Sequence, residues 1–542
     1  MNITPSQPAE RAAAPSEFDV RRFGAAGDGL TPDTAAINRA IAAAAAAGGG
    51  TVVFPAGDYL SYSIRLQSWI TLEFRAGATL IAADPPPAGQ PGGYDAPEDA
   101  PPNHHQDFGH SRFRNSLIWG ENLEGVTIRG PGRIYGRGLS RGNGRIALPV
   151  GEVAPQPDNR LPDVLEADGV IPPLAGVPPA GPFGYPHAFD TLPAGVGNKA
   201  IALRGCRSVL VHDLTILHGG HFGILAAACD NVVVDGVFID TNRDGIDIDA
   251  CANVRISNCS VNSPWDDGIC VKSSCGFGGV RPVENVTISN CYVSGFEEGT
   301  LYDGTRSRAI RHRGGPIGRI KLGTEASGGF RNIAISNCVF EFCRGLALEQ
   351  VDGAEMEDVV VSNLVMRDVM NAPIFIRLGA RLRAPGALAP GAVRRIAIDN
   401  VVAHNVAPEH GIFIAGLPGH AVADVSLSGI QLYSRGGGSV TDAVRTVPEM
   451  PKDYPEPMLF GTLPAWGVYV RHAARIRLRD LTLALLARDA RPAIELDDVA
   501  GADCAGIRTP VGSSGGWTVA QVTGLRVRDC DGQPDTDRSG KS

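Results

Sequence analysis

The chain has 542 residues, 43% hydrophobic and 20% charged, with 68 Gly, 40 Pro and a formal net charge of −9. That hydrophobic content excludes a globally disordered chain, and abundant glycine without a Gly-X-Y period excludes collagen and implies many turns. The negative charge argues against nucleic-acid or anionic-membrane partners, and no apolar run is long enough to span a bilayer.

Met1–Pro15 lacks the apolar core of a signal peptide, and residues 1–17 read as a flexible lead. Asp33, followed by an Ala/Ile-rich run that stops at Gly48-Gly49-Gly50, predicts a helix N-capped by Asp33 that closes one end of the fold. From residue 51 onward one short pattern recurs. It reads TVVF at 51, GVTIRG at 125, SVLVHD at 208, NVVVDG at 231, NVRISNC at 253, NVTISNC at 285 and NIAISNC at 332, with later copies as far as GLRVRDC at 524. Each copy is a few alternating β-branched residues closed by Asn, Asp or Gly, a strand ending in a turn. The copies recur at a coil length of roughly 20–30 residues plus insertions, too long for a β-sandwich. The predicted fold is all-β: a right-handed parallel β-helix, a solenoid with an N-terminal capping helix, forming one domain over 18–530 before a polar tail at 531–542. Pro/Gly-rich stretches near 82–112, 139–196 and 434–465 interrupt the repeat and are expected to wall a groove.

Asn258, Asn290 and Asn337 are expected at successive turns, with their amides hydrogen-bonded along the stack. Cys259, Cys291 and Cys338 follow them as an interior column of thiols. The eleven cysteines form no cluster with zinc spacing, so neither a metal nor a cofactor is expected.

The chemistry concentrates in two segments one coil apart, Asn242-Arg243-Asp244-Gly245-Ile246-Asp247-Ile248-Asp249 and Trp265-Asp266-Asp267-Gly268-Ile269-Cys270-Val271-Lys272. Neighbouring strands lie about 4.8 Å apart, which makes Asp244 and Asp267 neighbours and sets Asp266 beside Arg243. The strand period of two points Ile246, Ile248, Ile269 and Val271 inward and Asp247, Asp249, Cys270 and Lys272 outward. In later coils Arg319, Lys321, Glu349, Phe375 and Arg377 also face out. One exposed sheet is therefore expected to offer Asp249, Lys272, Glu349 and Arg377 in a column, a groove of both signs with an aromatic, suited to sugar. Three crowded acids raise one another's pKa, which supplies a general acid beside an ionised base. An acid and a base far enough apart to admit water form the inverting glycosidase arrangement. The spacing alone leaves open that Asp244 and Asp267 only shape turns beside glycine.

These motifs also carry a resemblance. From about residue 18 to 480 the layout resembles glycoside hydrolase family 28, the polygalacturonase family of pectin-degrading enzymes. FDVRRFGAAGDGLTPDTAAINRAI and GGGTVVFPAGDYL are similar to the start shared by many pectin-active β-helix proteins. Asn242-Arg243-Asp244-Gly245 resembles the family's Asn-Thr-Asp-Gly with Arg in place of Thr, and Asp266-Asp267 resembles its Asp-Asp motif. The resemblance implies that Asp266 protonates the leaving oxygen while Asp244 and Asp267 activate water for inversion. The family's Gly-His-Gly falls near Gly318-Arg319-Ile320-Lys321 and Glu325, without histidine; its Arg-Ile-Lys falls near Leu346-Ala347-Leu348-Glu349, with Ala and Glu instead. Glutamate at such a position repels a uronate, leaving Lys272, Lys321 or Arg377 as candidate substitute cations.

Trp265 beside the acids is a candidate for stacking on a sugar ring, and His221, with His218, is a candidate substrate contact in the preceding coil. His104-His105, the inserted Glu297, Glu298 and Asp303, and the run Arg306, Arg308, Arg311 and Arg313 read by default as solvated loop residues. The expected function is a glycoside hydrolase acting on a pectin-like polysaccharide or its oligosaccharides. The alternatives are a polysaccharide lyase or uronate epimerase, dependent on a cation such as Ca²⁺, and a non-catalytic carbohydrate-binding β-helix. The expected compartment is periplasmic or secreted, with cytoplasmic the alternative.

Overall fold

In the computed structural model the described residues are 17–87, 90–99, 108–140, 192, 194–308, 315–510 and 515–537. His104, His105, Arg311, Arg313, residues 1–16, most of the 139–196 stretch and the end of the polar tail lie outside them.

Strand pairs with strand one coil later, in parallel, along nearly the whole chain. The face that matters here is built from β1 (Phe222–Ala227), β2 (Asp244–Asp249), β3 (Ile269–Ser273), β4 (Ile320–Ala326), β5 (Leu346–Gln350), β6 (Ile374–Leu378), β7 (Ile412–Ala415) and β8 (Val468–Arg479). Register stacks like on like inside: Ile224, Ile246, Ile269 and Ile320 form one column, and Ala226, Ile248, Val271, Leu322, Leu348, Ile376 and Ile414 another. All are buried; burying each large aliphatic side chain stabilises the fold by about 1.5–3 kcal/mol. The solenoid is a right-handed parallel β-helix, and this is the inward set that the period of two predicts.

The turns obey the same repeat. Asn290 donates to Asn258, Asn337 to Asn290, Asn363 to Asn337 and Asn400 to Asn363, at 2.7–3.3 Å. A second ladder runs through Asn231, Asn253, Asn285 and Asn332. Every one of these asparagines has a positive φ of 53–59°, the left-handed conformation that asparagine tolerates better than β-branched residues do. Cys259, Cys291 and Cys338 are buried in the core, as are Cys206, Cys229 and Cys251 in a second column.

The capping helix α1 spans Thr34–Ala46 and buries Ala36, Ile37, Ala40, Ile41 and Ala44 against the first coil. Asp33 holds the N-cap position, but its side chain does not cap the helix. With φ −90° and ψ −1° its carboxylate turns from the helix and accepts the backbone N–H groups of Ala26 and Gly27 instead. At the far end part of the expected polar tail is ordered, Thr536–Asp537 pairing antiparallel with Arg526–Val527.

The outward sheet is not exposed. Asp247, Asp249, Cys270, Lys272, Lys321, Glu349, Phe375 and Arg377 are all buried, under two segments that pack on this face. One is Phe108–Ser111; the other is the 434–465 stretch, which acts as a strap. Under the strap, Phe375, Phe413, Phe460, Leu463 and Tyr469 form a second small core. The aromatic expected to line a sugar groove is thus spent on packing.

Candidate functional site

Asp244 begins β2, and Asp266-Asp267 precede β3. Glycine follows the acid in both motifs because the coils approach closely there: a Cβ on Gly245 would stand 2.2 Å from Val261 Cγ1 and 2.6 Å from the Gly268 carbonyl. Backbone bonds fix the stack, Gly245 N–H to Asp267 O, Trp265 N–H to Asn242 O and Gly318 N–H to Asp266 O, at 2.9–3.1 Å.

This brings the three acids together, with one carboxylate oxygen of each of Asp244, Asp266 and Asp267 within 4.8 Å of the others. That is tighter than the roughly 6.5–9.5 Å usual between the two carboxyl groups of an inverting pair, because the spacing is one strand step. It is also the span that a single water bridges with two ordinary hydrogen bonds.

Each acid has its own cation. Arg243 donates to Asp266 Oδ2 through Nη2 at 2.7 Å and Nε at 3.2 Å. The Lys272 ammonium lies 2.7 Å from Asp247 and 3.5 Å from Asp244, and 3.1 Å from His110 Nε2. Arg319 Nε donates to Asp267 at 2.9 Å, and Lys321 stands 3.5 Å from the same carboxylate and 3.4 Å from Glu349. Burial alone would raise the Asp266 carboxyl, but Arg243, with Lys272 and Lys321, holds it well below the usual carboxylate range. Burial, reinforced by the charge of Asp266, pushes Asp244 well above that range against the pull of Lys272. The cluster thus favours the ionised form of the carboxyl at the surface and the protonated form of the one beneath it.

The strap closes one side. Glu456 meets Arg319 at 2.5 Å and Arg344 at 2.7 Å, and the Tyr454 hydroxyl receives a bond from Lys321 at 3.0 Å. Burial is overcome by Arg319 and Arg344, and Glu456 is drawn down to about 2. Burial lifts Glu349 to about 7 despite Lys321 and Arg319. Glu325 faces Arg381 at 3.7 Å and is held at about 2, with Arg381 outweighing its burial.

The other expected contacts fall elsewhere. Arg377 is three strands beyond β3, about 14 Å at the usual strand spacing. It binds the carbonyls of Gly416 and Glu449, anchoring the strap. Asp249 is covered and accepts from the Ser274 hydroxyl and backbone. His221 is buried with its ring stacked on Phe222, centroids 4.4 Å apart, and His218 pairs with Glu298 at 2.8 Å. Arg308 pairs with Asp368 and Glu341. Trp265 is half-buried beside Asp266. The site's unforeseen members are His110, from the short helix Phe108–Ser111, and Tyr454 and Glu456, from the strap. The one sequence signal was Pro455-Glu456-Pro457, an acid held between two rigid residues.

Among the described residues, two groups have metal-ligand proximity: Asp244, Asp266 and Asp267, and Asp244, Asp247 and Cys270. Lys272 lies within the second and Arg319 and Lys321 border the first, so a divalent cation would have to compete with these fixed charges.

Comparisons with known proteins fit this architecture. The family model described as "Right handed beta helix region" matches residues 194–281, and "Rhamnogalacturonase A/epimerase, pectate lyase-like" matches 18–73. An exo-poly-α-D-galacturonosidase of Dickeya chrysanthemi is 27% identical over 265 residues. That match covers 47% of this chain and 42% of the relative, so the chain spans less than half the length of that curated protein. A family 28 exopolygalacturonase of Yersinia enterocolitica superposes with a TM-score of 0.55 at 21% identity, over 96% of this chain and 79% of that one. The hyperthermoactive exopolygalacturonase of Thermotoga maritima gives 0.55 and 21% over 78% and 88%. The chain shares their fold. Among the described residues, no helix is long and apolar enough to cross a membrane.

Proposed function

We propose that the protein is a glycoside hydrolase that cleaves a pectin-like polysaccharide or its oligosaccharides, working from a chain end. The reading is carried by the set of three carboxylates within 4.8 Å of one another, of which one is accessible: the Asp266 side chain is 23% exposed, those of Asp244 and Asp267 2% and 3%. Asp266 reaches the leaving oxygen. Asp244 and Asp267 are too recessed to bond to a sugar carbon, so they act through a water held between them, which attacks as Asp266 donates its proton. The proton comes from within the set, Asp244 being the member that holds one at rest.

The strap supports exo action, since Tyr454 and Glu456 block passage of a long chain past Arg319 and Lys321. The names of the exo-acting relatives agree with that. A polymeric substrate of this kind implies work in the periplasm or outside the cell.

The test is to incubate wild type and Asp266→Asn with pectic and neutral oligosaccharides, following reducing ends and the absorbance of unsaturated products together, with and without chelator. New reducing ends without unsaturation, lost in the variant and indifferent to chelator, are expected. Unsaturated products or loss with chelator would overturn the reading in favour of a lyase.

A further inference from the structure

The hydrolytic reading leaves one question, which the inference below rests on and extends: the residue that must donate a proton is held as a carboxylate. Asp266 is faced by Arg243 from the turn before β2, by Asp244 at the start of β2, by its neighbour Asp267, by Lys272 from β3 and by Lys321 from β4. Among the described residues, four cations are ion-paired to the three acids. The side chains of Lys272, Arg319 and Lys321 are 8%, 2% and 1% exposed, and each lies between two or more carboxylates. Arg243 is 23% exposed, at the mouth of the site. Of these four cations it is the one most exposed to an arriving anion.

We propose that Arg243 is an anion-sensing positioning residue, whose guanidinium passes from Asp266 to the carboxylate of an acidic sugar and so lets Asp266 accept the proton it will donate. An arginine fork binds one carboxylate in place of another at little geometric cost. Once the guanidinium turns to the sugar, Asp266 loses its main counter-charge, and the proton of the Asp244 carboxyl moves the short distance to Asp266. Asp244 is then the ionised base, paired with Lys272. Uncharged sugars leave Arg243 on Asp266 and the acid unarmed. The substitution of Arg for Thr in this motif thereby returns a carboxylate-reading cation to a site that carries Ala347 and Glu349 in place of Arg and Lys.

The experiment compares wild type, Arg243→Gln and Arg243→Lys on trigalacturonate and its methyl ester, with thermal melting to verify the fold. In wild type, kcat/KM should favour the free acid over the ester by tenfold or more. Arg243→Gln should lose that preference and shift the alkaline limb of the kcat/KM profile upward by a pH unit or more, because Asp266 returns toward the usual carboxylate range. Arg243→Lys should restore the preference in part. An unchanged profile and preference in Arg243→Gln, or equal losses on both sugars, would overturn the proposal. If wild type cleaves neither, the hydrolytic reading fails separately, and calorimetric binding then decides this one: tighter binding of the acid than of the ester, abolished in Arg243→Gln, sustains Arg243 as the anion sensor, and equal binding removes it.

Discussion

Arg319 and Glu456 meet at 2.5 Å across 137 residues of chain. One immediately precedes β4, beside the acids, and the other comes from the strap. The same guanidinium holds Asp267, so the loop that closes the site and the acid that works in it share one cation.

Neutralising Glu456 should therefore loosen the strap and the site together. Its carboxyl sits at about 2, below the ordinary 4.5, so its stabilisation is complete above about pH 4.5 and fades as the pH falls toward 2. Glu456→Gln, which leaves buried Arg319 and Arg344 short of an anion, should lower stability by about 3–5 kcal/mol at neutral pH. It should also flatten the loss of stability expected of wild type as the pH falls from 4.5 toward 2. Denaturant melts at several pH values check this, and a variant melting like wild type would refute it.

Glu349 predicts the opposite slope. Its carboxyl is raised to about 7 from 4.5, so its contribution is fully present below about pH 4.5 and is lost as the pH rises through 7. Glu349→Gln resembles the protonated form and should remove a fall of about 1–3 kcal/mol between pH 5 and 8. If both proteins decline in parallel over that range, the buried glutamate is ionised throughout.

The three acids should separate by stability as well as by rate. Asp266→Asn and Asp244→Asn should each cut kcat by about 10²–10⁴-fold, and Asp266→Asn should melt near wild type because its side chain is partly exposed. Asp267→Asn should lose activity and also destabilise the fold, since Arg319 and Lys321 would remain buried without that partner. Activity and melting curves measured on the same preparations distinguish these cases.

Recession of Asp244 and Asp267 predicts the stereochemistry despite their close spacing. Proton NMR of the first product should show the anomer opposite to the bond cleaved. The same anomer would mean that a carboxylate attacks directly.

Much of this was legible in the chain. The Asn and Cys repeats, the inward isoleucines and the one-coil spacing of Asp244 and Asp267 follow from local backbone periodicity, which a solenoid carries unaltered into three dimensions. The period of two also told correctly that Asp249, Lys272, Glu349 and Arg377 leave the barrel. It could not tell what lies over them, because coverage is decided by loops whose landing points have no periodicity. Phe375 and Arg377 therefore read as sugar contacts and turn out to be strap anchors. Arg319, Tyr454 and Glu456 form one network from segments far apart in sequence. The Asp33 side chain left the helix end uncapped for a simpler reason: the backbone N–H groups of Ala26 and Gly27 took its carboxylate.

The close contact at Gly223, Gly245 and Gly268 has a final consequence. A Cβ on Gly223 or Gly245 would stand 2.7 or 2.6 Å from a carbonyl of the following coil, and one on Gly268 would stand 3.1 Å from the Gly318 carbonyl, so the interval between Asp244 and Asp267 is set first by a backbone ruler. Parts of the strap away from Tyr454 and Glu456, which hold Lys321 and Arg319, can then change length or composition without resetting that interval. New sugar preferences can be sought by editing the walls alone, with the hydrolytic gauge left at its native setting.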